Sequence, residues 1–194
     1  MIISFKQAKV FVKHFCLFFC ASTLERVCCF FFEKMEEKRM KTLGYYNGKF
    51  DELDEMSIPM NDRVCWFGDG VYDAGLSRNY KIFALNEHID RLFNSAGLLD
   101  IKVPVTKAEL ADLLQEMVNK MDTGNLFVYY QVTRGTGMRN HVFPEGKANL
   151  WIMLKPAEIA DGTKPIKLIT AEDTRFFHCN IKTLNLIPSV MAAE

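Results

Sequence analysis

Asn180-Ile181-Lys182-Thr183-Leu184-Asn185-Leu186-Ile187 places a single lysine where a strand-like run meets the start of a helix. Its neighbours are mostly apolar or uncharged, with His178 and Cys179 just before it. A lysine partly withdrawn from water loses preference for its charged form, and the free amine is the nucleophile that condenses with carbonyls. A lone lysine beside a strand is more often a solvated side chain, so the rest of the sequence must decide.

Upstream of the lysine the strand and helix signals fall in groups. Leu43-Gly44-Tyr45-Tyr46-Asn47-Gly48-Lys49-Phe50 predicts a hairpin around Asn-Gly. Asp51 to Asp62 is polar and loop-like, and Val64-Cys65-Trp66-Phe67 is a short apolar run. Ile82-Phe83-Ala84-Leu85 is a buried-strand candidate. Asn86 is placed to cap a helix whose Ile89, Leu92, Phe93, Ala96 and Leu99 share one face. Thr106 and Glu109 make a capping box for a second helix, striped by Leu110, Leu113, Leu114, Met117 and Met121. Leu126 to Arg134, Ala148 to Leu154 and Pro165 to Thr170 read as strands. Strands, two helices and strands again predict an α+β domain, not alternating βαβ units.

Three further stretches carry candidate chemistry. Gly68-Asp69-Gly70-Val71-Tyr72 lacks the spacing and the lysine of a nucleotide loop. Its glycines permit positive φ and close backbone approach, and Tyr72 taken by itself is a half-buried strand aromatic. Glu87-His88-Ile89-Asp90-Arg91-Leu92 is a charged helix start. Gln131 to His141 is a strand running into a glycine-bearing loop, with Arg139 and His141 two residues apart. Such a loop suits a small carboxylate, although two nearby surface cations are usually coincidence.

Arg175 to Leu186, together with these three stretches, closely resembles the class IV (fold-type IV) pyridoxal-phosphate aminotransferases, most closely the D-amino-acid transaminases. The resemblance runs from about Leu43 onward, with four separated motifs in order. It implies a fold-type IV α+β architecture and pyridoxal 5′-phosphate as cofactor, held by Lys182 as a Schiff base. It implies Arg91 as a ligand of the cofactor phosphate and Tyr72 as a substrate contact. Arg139 and His141 become the trap for the substrate carboxylate, reaching the site of a neighbouring subunit in a homodimer. Arg134 is read as stabilising the loop. One departure is Pro188-Ser189, where the family often has a glycine. The family's partner for the pyridinium nitrogen and its second set of phosphate donors are expected beyond residue 194.

The activity implied is transfer of an amino group between D-amino acids, such as D-alanine, and 2-oxo acids. A branched-chain L-amino-acid transaminase and an aminodeoxychorismate lyase are alternatives on the same fold. A non-catalytic fragment is an alternative of another class.

Composition bounds these readings. The 194 residues carry 24 basic and 24 acidic side chains, so no charge excess points to nucleic acid or an anionic membrane. Residues 1–39 differ from the rest, with eight of the sixteen Phe, four of the six Cys, and seven basic against four acidic residues. Their apolar stretches are too short for a spanning helix, and no small-residue cleavage site follows. They read as an extension ahead of a start at Met35 or Met40. Cys28-Cys29 and the Cys16/Cys20 pair lack zinc-like partners, so no metal site is expected. Cys65 and Cys179 read as reduced thiols of a cytoplasmic protein. Pro, Gly and acidic residues cluster from Pro156 to Pro165. The expected organisation is therefore an extension over 1–39, a small N-terminal domain over 40–160, and the beginning of a larger cofactor-binding domain over 161–194, cut short.

Overall fold

The computed structural model describes residues 40–193 apart from Asp161, Ala171, Thr174 and Phe176. The expectation for segment 1–39 lies outside the described residues. Strands β1 (Leu43–Tyr46) and β2 (Lys49–Asp51) form the predicted hairpin. Asn47 and Gly48 both take positive φ, 45° and 96°. That geometry matches the right-handed twist of the flanking strands, which is why Asn-Gly is favoured there. A 3₁₀ turn (Leu53–Glu55) follows, then the short helix α1 (Arg63–Phe67). The Asp62 side chain accepts from the Val64 amide to start α1, and Gly68 ends it in the left-handed region.

Strands β3 (Gly70–Arg78) and β4 (Lys81–Ile82) lead to helices α2 (Leu85–Leu98) and α3 (Lys107–Lys120). Strands β5 (Leu126–Thr133) and β6 (Asn149–Pro156) complete a sheet of order β2-β1-β6-β5-β3-β4, antiparallel at every pairing. Helix α4 (Ile187–Ala193) follows the lysine, with Pro188 in its first turn, where no amide is required.

Strand alternation separates the two faces of the sheet. Leu43, Val71, Val128, Val132, Leu150, Ile152 and Leu154 are buried with Ile89, Leu92 and Ala96 of α2 and Leu110, Leu114, Met117 and Val118 of α3. The opposite face carries a row in register across four strands: Tyr46, Trp151, Gln131 and Tyr72. The predicted capping box is formed in full, the Glu109 carboxylate returning to the Thr106 amide at 2.7 Å.

Three expectations are corrected. Ile82 to Leu85 is not a buried strand: β4 stops at Ile82, and the Phe83 side chain is 78% exposed. Asn86 is not the cap of α2, because the chain turns two residues earlier at Ala84 (φ 47°) and the Ala84 carbonyl accepts from His88. Pro165 to Thr170 forms no strand; Ile166, Leu168 and Ile169 are exposed. A β-prone sequence becomes a strand only where a neighbouring edge supplies its hydrogen bonds, and among the described residues none does here.

Candidate active site

Lys182 is placed by its main chain. β4 covers only the Ser77–Arg78 end of the outer edge of β3, and the lysine segment covers the other end. Thr183 bridges to Val71, the Tyr72 amide donates to the Lys182 carbonyl at 3.0 Å, and the Leu184 amide donates to Gly70 at 3.1 Å. Glycine makes the approach possible: a Cβ on Gly70 would lie 2.7 Å from both Leu184 Cδ1 and the Val132 carbonyl. Asn185 adds a bond from its side-chain amide to the Gly68 carbonyl, 3.3 Å. Ser95 of α2 supplies the acceptor for the Lys182 amide, 3.2 Å from its Oγ.

This frame directs the amine onto the open face of the sheet. Lys182 Nζ lies over the Tyr72 ring, 4.0 Å from its centroid, within range of a cation–π contact. Tyr72 stacks on Tyr129 at 5.4 Å, and Tyr129 lies 5.4 Å from Trp151. Burial, reinforced by Tyr72, pushes the Tyr129 phenol upward, so it remains a donor, to Gln131 Oε1 at 2.8 Å. At the end of the same row, burial and then the charges of Asp62 and Cys65 push Tyr46 up to about 12.

Arg91 reaches the adjoining residue of β3. Its Nε and Nη2 bind the Asp73 carboxylate at 2.7 and 2.8 Å. Asp73 is wholly buried and also meets His88 Nδ1 at 2.9 Å and the Ala74 amide at 2.7 Å. Hydrogen bonding to Asp73, the leading cause, holds the Arg91 guanidinium above its ordinary value. One edge of the planar fork thus serves Asp73, and Nη1 has no protein partner among the described residues. Half of the side chain, 51%, is exposed. Tyr72 and Asp73 are consecutive, so the lysine amine and the arginine meet β3 at neighbouring positions.

Arg139 and His141 are elsewhere. Both are exposed and share the Phe67 ring, Arg139 at 5.4 Å and His141 at 5.4 Å between centroids. None of the described contacts joins either residue to Tyr72 or Lys182. Their loop is held from beneath: Asp69 lies between Arg63 (2.7 Å) and Arg134 (3.0 Å). Arg63 Nη1 donates to the Asn140 carbonyl at 2.6 Å, and Arg134 Nη2 to that of Leu99 at 2.8 Å. Arg134 therefore stabilises the loop, as read from the sequence.

The sequence motifs passed over Asp73 and Ser95, though both left a signal. Asp73 occupies a core-facing position of a strand, between Val71 and Gly75, and Ser95 interrupts the apolar stripe of α2 beside Leu92 and Ala96. A polar residue at such a position needs a partner, and the partner marks the site.

This scaffold, with a lysine on a sheet edge and an arginine on the adjoining helix, has the α+β fold of the fold-type IV aminotransferases. A solved branched-chain aminotransferase from the archaeon Thermoproteus uzoniensis superposes with a TM-score of 0.69 at 18% identity, over 78% of this chain and 54% of that one. The chain belongs to the amino-transferase class IV family, whose model matches residues 70–194. A D-alanine aminotransferase of Listeria monocytogenes serotype 1/2a (strain 10403S) is 40% identical over 154 residues, covering 75% of this chain and 53% of that protein. The D-alanine aminotransferase of Bacillus licheniformis is 36% identical over 160 residues, covering 80% and 55%. The chain spans about half the length of these curated relatives.

Proposed function

We propose that this protein is a pyridoxal-phosphate-dependent transaminase acting between D-amino acids, D-alanine among them, and 2-oxo acids. The observation that carries the reading is the amine of Lys182, held on the Tyr72 ring by a main chain bonded to β3 and α2. The residues fit the cofactor by donor chemistry: an amine for an aldehyde, and one unused guanidinium nitrogen for a phosphate. Lys182 would hold the aldehyde through Nζ and Arg91 the phosphate through Nη1. When bound, the cofactor supplies the electron sink for the carbanion left as the substrate loses its α-proton. Lys182 Nζ is the group that carries that proton, and the Tyr72–Tyr129 pair walls the amine on one side.

Arg139 and His141, exposed and ordered on Phe67, are read as the carboxylate trap of a neighbouring subunit, which makes a homodimer the working unit. Residues 40–160 are read as the small domain and 161–194 as the beginning of the cofactor-binding domain. The D-amino-acid assignment is favoured over the branched-chain one because several curated relatives at 32–40% identity are D-alanine aminotransferases. The branched-chain neighbours support the fold alone. No helix among the described residues is long and apolar enough to cross a membrane; a cytoplasmic location belongs to the same proposal.

The test is borohydride trapping with added pyridoxal phosphate, followed by peptide mass spectrometry and an assay of D- against L-alanine. The expected result is label on Lys182, none in Lys182→Ala, and turnover of D-alanine only. Label on a different lysine, or preference for L-alanine, would sink the proposal.

A further inference from the structure

We propose that Ser95 is a positioning residue that sets the register of Lys182 against Arg91; the inference rests on the functional reading above. Ser95 is 1% exposed and follows Arg91 by four residues on α2, hence on the same face and about 6 Å along the helix axis. A hydroxyl buried in an apolar stripe is costly without a partner, and its partner is the Lys182 amide.

The two β3 bonds, Tyr72 to Lys182 and Leu184 to Gly70, do not by themselves fix the register. A strand can slip by two residues along an edge and keep each side chain on its own face. Such a slip would bring the amide of Asn180 or Leu184 opposite Ser95 and carry the lysine along β3. The Ser95 bond comes from a different element and singles out one amide. Because α2 also carries Arg91, one rigid helix grips the lysine main chain and presents the guanidinium. A cofactor with its aldehyde and phosphate at a fixed separation requires that spacing to be constant.

The experiment follows borohydride trapping of pyridoxal phosphate on Lys182 against time, at a series of cofactor concentrations. In trapping, Nζ condenses with the aldehyde with loss of water, and borohydride reduces the C=N bond to a secondary amine. Ser95→Ala is expected to lower the limiting trapping rate about tenfold, the scale of a buried amide left without an acceptor, with less than about threefold change in half-saturating cofactor. A role confined to stability would lower the melting temperature and leave the limiting rate of the folded protein unchanged, and that result overturns the proposal. Amide hydrogen exchange provides a reading that does not depend on the variant. The Lys182 amide of the unaltered protein should be protected, and rapid exchange there would refute the bond. If Lys182 of the unaltered protein traps nothing, the functional reading fails and the role of Ser95 with it. If it traps and Ser95→Ala traps equally fast, only the positioning role fails.

Discussion

Arg91→Ala should destabilise the fold in the complete absence of cofactor. The reason lies beneath the guanidinium: Asp73 has no exposure at all, while the Arg91 side chain is 51% exposed. Removing one partner from a fully buried ion pair costs about 3–5 kcal/mol, and exposed pairs contribute about 0–1 kcal/mol. This pair lies between those limits, since water screens Arg91 and Asp73 keeps its bonds from the Ala74 amide and His88. The expected loss is therefore about 2 kcal/mol. Urea unfolding followed by circular dichroism measures it; with a slope of about 2 kcal/mol per molar urea, the midpoint should fall by about 1 M. Asp73→Asn and the double variant complete the cycle, with an expected coupling of about 1–2 kcal/mol. A coupling below about 0.5 kcal/mol would refute the reasoning, leaving Arg91 an ordinary surface cation. Any weakening of cofactor retention in Arg91→Ala must be judged against this loss, because the side chain proposed as phosphate ligand is also the partner of Asp73.

Thr106→Ala should cost about 1 kcal/mol through loss of the capping box. Hydrogen bonds from the Thr106 amide and hydroxyl hold the Glu109 carboxyl below its ordinary 4.5, so its contribution is complete above that value and lost as pH falls through the folded value. The penalty of Thr106→Ala should accordingly be larger near about pH 7 than near about pH 3, and equal penalties in urea melts would contradict this. Gly135→Ala should destabilise by about 2 kcal/mol or more, through strain at positive φ. Its φ is 105°, and an added Cβ would lie 2.3 Å from the Lys147 carbonyl, so urea melts matching the unaltered protein would refute the geometry. Arg139→Met should raise the KM for D-alanine about 10–150-fold, the scale of a lost charged hydrogen bond, and leave the cofactor spectrum unchanged. Mixed dimers with Lys182→Ala should regain activity if Arg139 serves the neighbouring subunit, and none recovered would place it in its own.

Legibility followed the range of the forces. The Asn47-Gly48 turn, the Thr106/Glu109 box and the stripes of α2 and α3 depend on residues a few positions apart, and the sequence pattern displays them directly. The start of α2 misled because backbone geometry at Ala84, not a side-chain cap, begins the helix. Pro165 to Thr170 misled because strand propensity has no effect without an edge to pair with. Lys182 and Arg91 stood out through their motifs, but the groups that hold them, Ser95 and Asp73, lie 87 and 18 residues away in the chain. Contacts of that span are made by topology. What sequence displayed of them was only a polar residue at an apolar position.

The docking of the lysine segment on β3 also bears on the order in which the chain can assemble. Thr183 and Val71 are separated by roughly a hundred residues, so closing that loop is among the more entropically costly contacts of the fold. Nothing can receive the segment until β5 has paired with β3 and α2 has brought Ser95 alongside. The amine thus gains its ring and its register only in a molecule whose sheet is already built. Until then the Gly70 to Tyr72 edge is bare, a template on which a second nascent chain could add a strand. The segment that carries Lys182 is also what closes that edge.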